Sequence, residues 1–169
     1  MTNYEYLYNT YFEDVYLYIF RLSGDAHIAG EIASDTFFLA MKFIDSFRGD
    51  CDVRVWLCQI AKNRYYSHLK KSKRVEHVEE AEIEKIPDQS RGVDEEFALR
   101  EEIERIQSAL HDVEEPYREV FMWRVFAELS FRQIGQIFNK TENWACVTYH
   151  RARKKILKRL EDKNNEKRM

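Results

Sequence analysis

Residues 129–160 read LSFRQIGQIFNKTENWACVTYHRARKKILKRL, and the fold turns on how they are read. Ser130 and Gln133 have the spacing of a capping box, in which each end of the first helical turn satisfies the other's backbone N–H. They open a short helix whose apolar positions are Phe131, Ile134, Ile137 and Phe138. Gly135 lies inside it, where the missing Cβ would let a second helix cross closely. Asn139-Lys140-Thr141 then forms a three-residue turn ending on an N-cap residue. The next helix carries Ala145, Tyr149, Ala152, Ile156 and Leu160 on one stripe, at spacings of three and four. Short helix, tight turn and longer helix together predict a helix-turn-helix.

With that stripe turned inward, Asn143, Cys146, Val147, His150 and Arg151 point outward near the start of the second helix. This is the part of such a helix that enters a DNA major groove. Arg153, Lys154 and Lys155, then Lys158 and Arg159, follow along the flank, where cations neutralise phosphates without reading sequence.

Charge supports the same direction once it is divided along the chain. The 169 residues sum to −3, but residues 61–74 hold six bases and no acid, and residues 148–169 hold nine bases and three acids. Between them, residues 75–115 hold fifteen acids and four bases. Two cationic patches in an otherwise acidic chain favour contacts with a polyanion.

Five glycines and two prolines are too few for a strand-rich fold, so the chain is expected to be all-α. Tyr4, Leu7, Tyr8, Tyr11, Phe12, Val15, Tyr18, Ile19 and Leu22 mark a first amphipathic helix, stopped by Ser23, Gly24 and Asp25. A second begins near Asp25 and presents Ile28, Ala29, Ile32, Ala33, Phe37, Ala40, Met41 and Ile44 to the core. A third starts near Val53, with Trp56, Leu57, Ile60, Ala61, Tyr65 and Leu69 on one face. The pattern lapses in VEHVEEAEIEKIPDQSRGVDEE, residues 75–96, which reads as an extended acidic linker. It resumes with Phe97, Leu99, Ile103, Ile106 and Leu110, and Pro116 then suits the first turn of a further helix. The expected organisation is two small helical domains, residues 1–74 and 96–169, joined by an acidic flexible linker at 75–95, with the helix-turn-helix in the second domain.

Other function classes find little support. Cys51, Cys58 and Cys146 lack the spacing of a metal site and fit reduced thiols, with Cys58 in the core. No glycine-rich phosphate loop, HExxH or paired nucleophile and base is present, so we expect no enzyme, no cofactor, no metal and no small-molecule substrate. The polar, acidic start carries no secretory signal, which points to the cytoplasm. A freestanding helix-turn-helix regulator and a protein-binding adaptor remain as alternative readings.

Two segments together resemble the extracytoplasmic-function sigma factors of bacterial RNA polymerase. FRGDCDVRVWLCQIAKNRYYSHLKKSKR, residues 47–74, looks like the family's promoter-melting segment. LHDVEEPYREVFMWRVFAELSFRQIGQIFNKTENWACVTYHRARKKILKRL, residues 110–160, looks like its second DNA-binding domain. The resemblance rests on Trp56-Leu57, Ile60-Ala61 and Asn63 with a basic tail, then on Pro116 to Val120, Leu129-Ser130, Ile134 and Arg151-Ala152-Arg153.

The resemblance implies that the first domain binds core RNA polymerase and opens the minus-10 element, while the second reads the minus-35 element of promoter DNA. Phe47, Arg48, Asp50 and Trp56 are then the candidate base-capture pocket, and Lys62, Asn63, Arg64, Lys70, Lys71, Lys73 and Arg74 hold the melted strand. Glu31, Ile32, Asp35 and Phe37 of GEIASDTF are the expected polymerase contacts, with Ser34 where the family usually has glutamine. Cys146, Val147 and Thr148 stand at positions that are often basic or hydroxylic in relatives, so the base preference is this chain's own. The resemblance also leaves room for an anti-sigma factor that sequesters the protein at a membrane, and for the acidic linker to follow the polymerase's basic RNA path.

Overall fold

The computed structural model describes residues 3–76 and 93–169, and among them the regular structure is helical. The first domain holds α1 (Asn3–Ser23), α2 (Ala26–Phe43), a short 3-10 turn (Ile44–Ser46) and α3 (Val53–Glu76). The second holds α4 (Val93–His111), α5 (Tyr117–Val125), α6 (Phe131–Phe138) and α7 (Glu142–Arg168). α3 and α4 both reach into the span read as linker, and residues 77–92 lie outside the described residues, as does any role for them on the polymerase.

Local chemistry sets the helix ends. Gly24 adopts a φ of 71° after α1, a left-handed conformation in which a side chain is strained. Asp25 then caps α2, its carboxylate accepting from the N–H groups of His27 at 2.8 Å and Ile28 at 3.1 Å. α1 buries Leu7, Val15, Tyr18, Ile19 and Leu22 against α2 and α3, as its spacing predicts. Tyr8 remains largely exposed, although its ring packs 4.7 Å from Phe12.

Two helix faces are turned from their expected positions. In α3 the buried side chains are Val55, Leu57, Cys58, Ala61 and Tyr65, while Trp56 and Ile60 are only half-buried. Met41, expected in the core, points outward from α2. Cys58 is enclosed as expected, and burial pushes its thiol up to about 12 against the opposing pull of the Arg54 guanidinium. It is therefore a small core hydrophobe rather than a reactive group. We predict that iodoacetamide at pH 8 leaves Cys58 unmodified in the folded chain and alkylates it only after denaturation, as peptide mass mapping will show; ready labelling of folded protein would contradict this.

The two domains share one continuous core. Buried side chains run without interruption from Leu7 in α1 through Tyr65 in α3 to Leu110, Trp123 and Ile156. At the boundary Trp123 is 1% exposed and lies in a stacked arrangement with Tyr18, ring centroids 5.4 Å apart. Between α3, α4 and α5 an open groove of about 560 Å³ remains, lined by Leu22, Tyr65, Leu69, Leu110, Met122 and Phe126 among others.

Gly135 does sit at a close approach, but what crosses it is a turn and not the second helix expected there. A Cβ there would lie 2.8 Å from the carbonyl oxygens of both Lys140 and Thr141, so the crossing element is the turn that leads into α7. Since those oxygens belong to backbone, they cannot swing aside. We predict that Gly135→Ala destabilises the protein by about 1–3 kcal/mol, measured by urea denaturation; an unchanged midpoint would show that the turn can yield.

Candidate nucleic-acid interface

The helix-turn-helix is assembled by a chain of caps. Ser130 N–H donates to Gln133 Oε1 at 2.8 Å and Gln133 N–H donates to Ser130 Oγ at 3.1 Å, the reciprocal pair expected for α6. Asn139 ends α6 in the left-handed region with φ 55°, and the Lys140 N–H returns to Gly135 O at 2.8 Å. Thr141 Oγ1 then accepts from the Trp144 N–H at 3.0 Å and starts α7. Arg124 of α5 braces the unit, its guanidinium 4.2 Å over the Phe131 ring while it donates to Leu129 O at 2.9 Å.

α7 is divided by face. Ala145, Thr148, Ala152 and Ile156 are buried, and Tyr149 packs against Phe121 and Phe131. Asn143, Val147, His150, Arg151 and Lys154 are exposed at spacings of four, three, one and three, which is one continuous outward strip. Arg153 is exposed on its flank, and Cys146 is half-buried at its edge. Thr148, grouped with the base-reading positions in the sequence, is a core residue. Val147, 39% exposed, is the apolar member of the strip.

The basic tail is not uniform. Lys155 is half-buried, paired with Glu114 at 2.8 Å and placed 4.9 Å over the Tyr117 ring, so it fastens α7 to the α4–α5 corner. Lys163 likewise pairs with Asp112 at 3.2 Å. Hydrogen bonds from Lys163 and Lys155, respectively, hold the Asp112 and Glu114 carboxyls below their ordinary range. A depressed carboxylate contributes stability at neutral pH that is lost as pH falls through its lowered folded value, so this clamp loosens only in acid. Arg151, Arg153, Lys154, Lys158 and Arg159 remain exposed.

In the first domain, residues 47–52 form a loop in front of α3. Gly49 takes a φ of 75°, and Asp52 caps α3 through the Arg54 N–H at 2.9 Å. Phe47 packs on Trp56 with ring centroids 4.9 Å apart, both half-buried, while Arg48 and Asp50 are exposed. Phe47 and Trp56 thus give an aromatic surface next to exposed polar groups. Farther along α3, Asn63, Lys70, Lys71 and Lys73 are exposed, and the side chain of Arg74 lies outside the described residues. Two strand-holding candidates already have protein partners. Arg64 donates to Asp35 at 3.1 Å, and the Lys62 ammonium sits on the Glu119 carboxylate of α5.

The expected polymerase contacts need correcting. Ile32 is 2% and Phe37 1% exposed, because both belong to the stripe that packs α2 on α1 and α3; neither side chain can meet a partner there. Glu31, Ser34 and Asp35 do reach the surface, and the same face continues through the exposed Phe38 and Met41. The spacing of 31, 34, 38 and 41 marks this face, which the apolar Phe38 and Met41 disguise as a buried one.

With this geometry in place, comparison with known proteins gives a consistent result. The family model for sigma-70 region 2 matches residues 7–75, and that for sigma-70 region 4 matches residues 103–156. The chain is 26% identical over 164 residues to the RNA polymerase sigma factor YlaC of Bacillus subtilis (strain 168), covering 96% of this chain and 95% of that one. It is 30% identical over 161 residues to the ECF RNA polymerase sigma factor SigW of the same organism, covering 90% and 86%. Among solved structures, CnrH in complex with the cytosolic domain of CnrY matches with a TM-score of 0.63 at 18% identity, covering 94% of this chain and 88% of that one. The sigma factor RpoE in complex with the anti-sigma factor NepR from Bartonella quintana matches with a TM-score of 0.61 at 19% identity, covering 95% and 98%. These two likenesses concern the fold. The chain belongs to the extracytoplasmic-function sigma factors. It is an alternative sigma factor, and its function is to direct transcription initiation by RNA polymerase.

A contrast within α7 tests how its cations divide. As a hypothesis from exposure, Arg151→Ala should cost about 1–3 kcal/mol of discrimination at one base pair, as loss of a bidentate contact does. Lys155→Ala should lower the melting temperature and leave base preference unchanged. Promoter binding with permuted minus-35 sequences, run beside thermal denaturation, checks both; unaltered preference for Arg151→Ala would show that another face of α7 reads the DNA.

Proposed function

We propose that the exposed strip of α7 reads the minus-35 element, with Asn143, Val147, His150 and Arg151 toward base edges and Arg153 and Lys154 toward phosphates. The observation that carries this reading is the division of α7 by face: small and apolar side chains inward, polar and cationic ones outward, in a helix held by a helix-turn-helix. Phe47 and Trp56 supply the stacking surface for a flipped minus-10 base, with Arg48, Asp50 and Asn63 around it. Lys70, Lys71 and Lys73 follow the strand backbone. Core polymerase docks on the outer face of α2, through Glu31, Ser34 and Asp35 and onward to Phe38 and Met41.

The protein acts by binding and positioning, with no catalytic step of its own, in the cytoplasm where core polymerase and promoter DNA are found. No described helix is long and apolar enough to cross a membrane. The matched structures CnrH and RpoE each hold a second protein, the cytosolic domain of CnrY and NepR, and an anti-sigma factor is the corresponding partner proposed here. The division into residues 1–74, 75–95 and 96–169 is kept as the working domain scheme.

Run-off transcription with purified core polymerase tests the assignment of roles. The chain should yield promoter-specific transcripts with polymerase and no sequence-specific footprint alone; equal footprints without polymerase would favour a freestanding regulator. Replacing Lys70, Lys71 and Lys73 by Ala should flatten the salt dependence of promoter complexes by about 0.7 to 0.9 in logarithmic slope per lost phosphate contact. An unchanged slope would remove these lysines from the backbone path.

A further inference from the structure

We infer that Val147 reads the 5-methyl group of a thymine in the minus-35 element, an apolar contact at the centre of the outward strip of α7. The inference rests on the minus-35 reading proposed for that strip and names the base that its middle selects. Asn143 lies one turn before Val147 and Arg151 one turn after it, with His150 and Lys154 alongside, and all four are exposed. Among the described residues of 142–152, Val147 is the one exposed apolar side chain, at 39%.

An exposed valine alone is ordinary on a protein surface. This one is set apart by its neighbours. Trp144, three residues earlier, is half-buried with its ring 5.3 Å from that of Phe138. His150, three residues later, has its ring 5.4 Å from Tyr149 and 6.5 Å from Phe131. Residues three apart adjoin on a helix surface, so Val147 stands between two rings that α6 already braces through Phe138 and Phe131. A β-branched side chain in a helix also keeps one preferred rotamer, and its two methyl groups have little freedom left to lose on binding.

The chemistry of the major groove then decides what Val147 can meet. Thymine presents a methyl group there, whereas the other distinguishing groups of the four bases are hydrogen-bond donors and acceptors. A donor or acceptor brought against Val147 gives up water and gains no partner, which is unfavourable. A methyl group in the same place is removed from water to advantage. Asn143 and Arg151 stand about 6 Å from Val147 along the helix, against about 3.4 Å between base pairs, so they fall on neighbouring pairs rather than on the same one. Asparagine suits adenine and arginine suits guanine at such positions.

The test begins by selecting, from promoter duplexes randomised over the minus-35 region, those bound by the chain together with core polymerase. Each thymine of a selected sequence is then replaced in turn by deoxyuridine, which lacks only the methyl group. One replacement should weaken binding about fourfold, as expected for one buried methyl-sized group, and Val147→Ala should bind the thymine and deoxyuridine duplexes equally. Val147→Thr, which keeps the shape and one methyl, should retain part of the difference and serves if Val147→Ala misfolds. At the same position 5-methylcytosine should bind better than cytosine, because the methyl group is kept. Indifference to deoxyuridine at every position would overturn the inference, as would a sensitivity that Val147→Ala leaves intact. Selection without any minus-35 preference defeats the minus-35 reading itself, whereas a preference with no deoxyuridine effect defeats the thymine contact alone.

Discussion

The enclosure of Trp123 is the constraint on which the rest of the arrangement depends. Its ring sits at the boundary between the domains, is covered on one side by Tyr18 of the first, and sends its only polar atom to Glu119. Truncating so large a buried ring costs about 3–5 kcal/mol in typical cores. Here the loss would fall on both domains at once, because Tyr18 is itself buried. The indole N–H explains why the contact is specific as well as apolar. It needs an acceptor when buried, Glu119 supplies one, and the charge of Glu119 then draws Lys62 across the boundary.

The remaining surfaces follow from how α3 and α7 share their residues between packing and solvent. In each helix a narrow buried stripe anchors the element, and the opposite face is left to cations. The cations are then sorted by their neighbours. Where an acid lies within reach, as Glu114 does for Lys155 and Glu119 for Lys62, the base is held by protein; where none is found among the described residues, as for Arg151 and Lys154, it stands in solvent. Exposed pairs contribute little stability, about 0–1 kcal/mol, so their effect is mainly on which cations remain free for a polyanion.

Much of this was legible in the sequence because it is local. The capping box at Ser130 and Gln133 and the turn at Asn139 to Thr141 are each set by residues a few positions apart, and each is found as read, while the close approach at Gly135 is made by that turn and not by a second helix. The inward stripe of α7 was legible for the same reason. Apolar residues gave less secure guidance about direction. Met41 and Phe38 face outward, whereas Ile32 and Phe37, expected to meet polymerase, pack inward, since a helix with apolar residues on most of its circumference does not declare which side is buried. Pairings across the domain boundary could not be read at all. Lys62 and Glu119 are 57 residues apart, and Arg54 and Ala127 are 73 apart, with a backbone carbonyl as acceptor in the second case; nothing in local spacing marks either.

The central claim is that α7 is divided by face, its buried side holding the helix-turn-helix together and its outward strip of Asn143, Val147, His150 and Arg151 turned to promoter DNA. Photo-crosslinking from a benzophenone side chain placed at Val147, with core polymerase and promoter DNA present, measures this directly. The account predicts crosslinks to bases of the minus-35 element. Crosslinks to polymerase alone, with none to DNA, would contradict it.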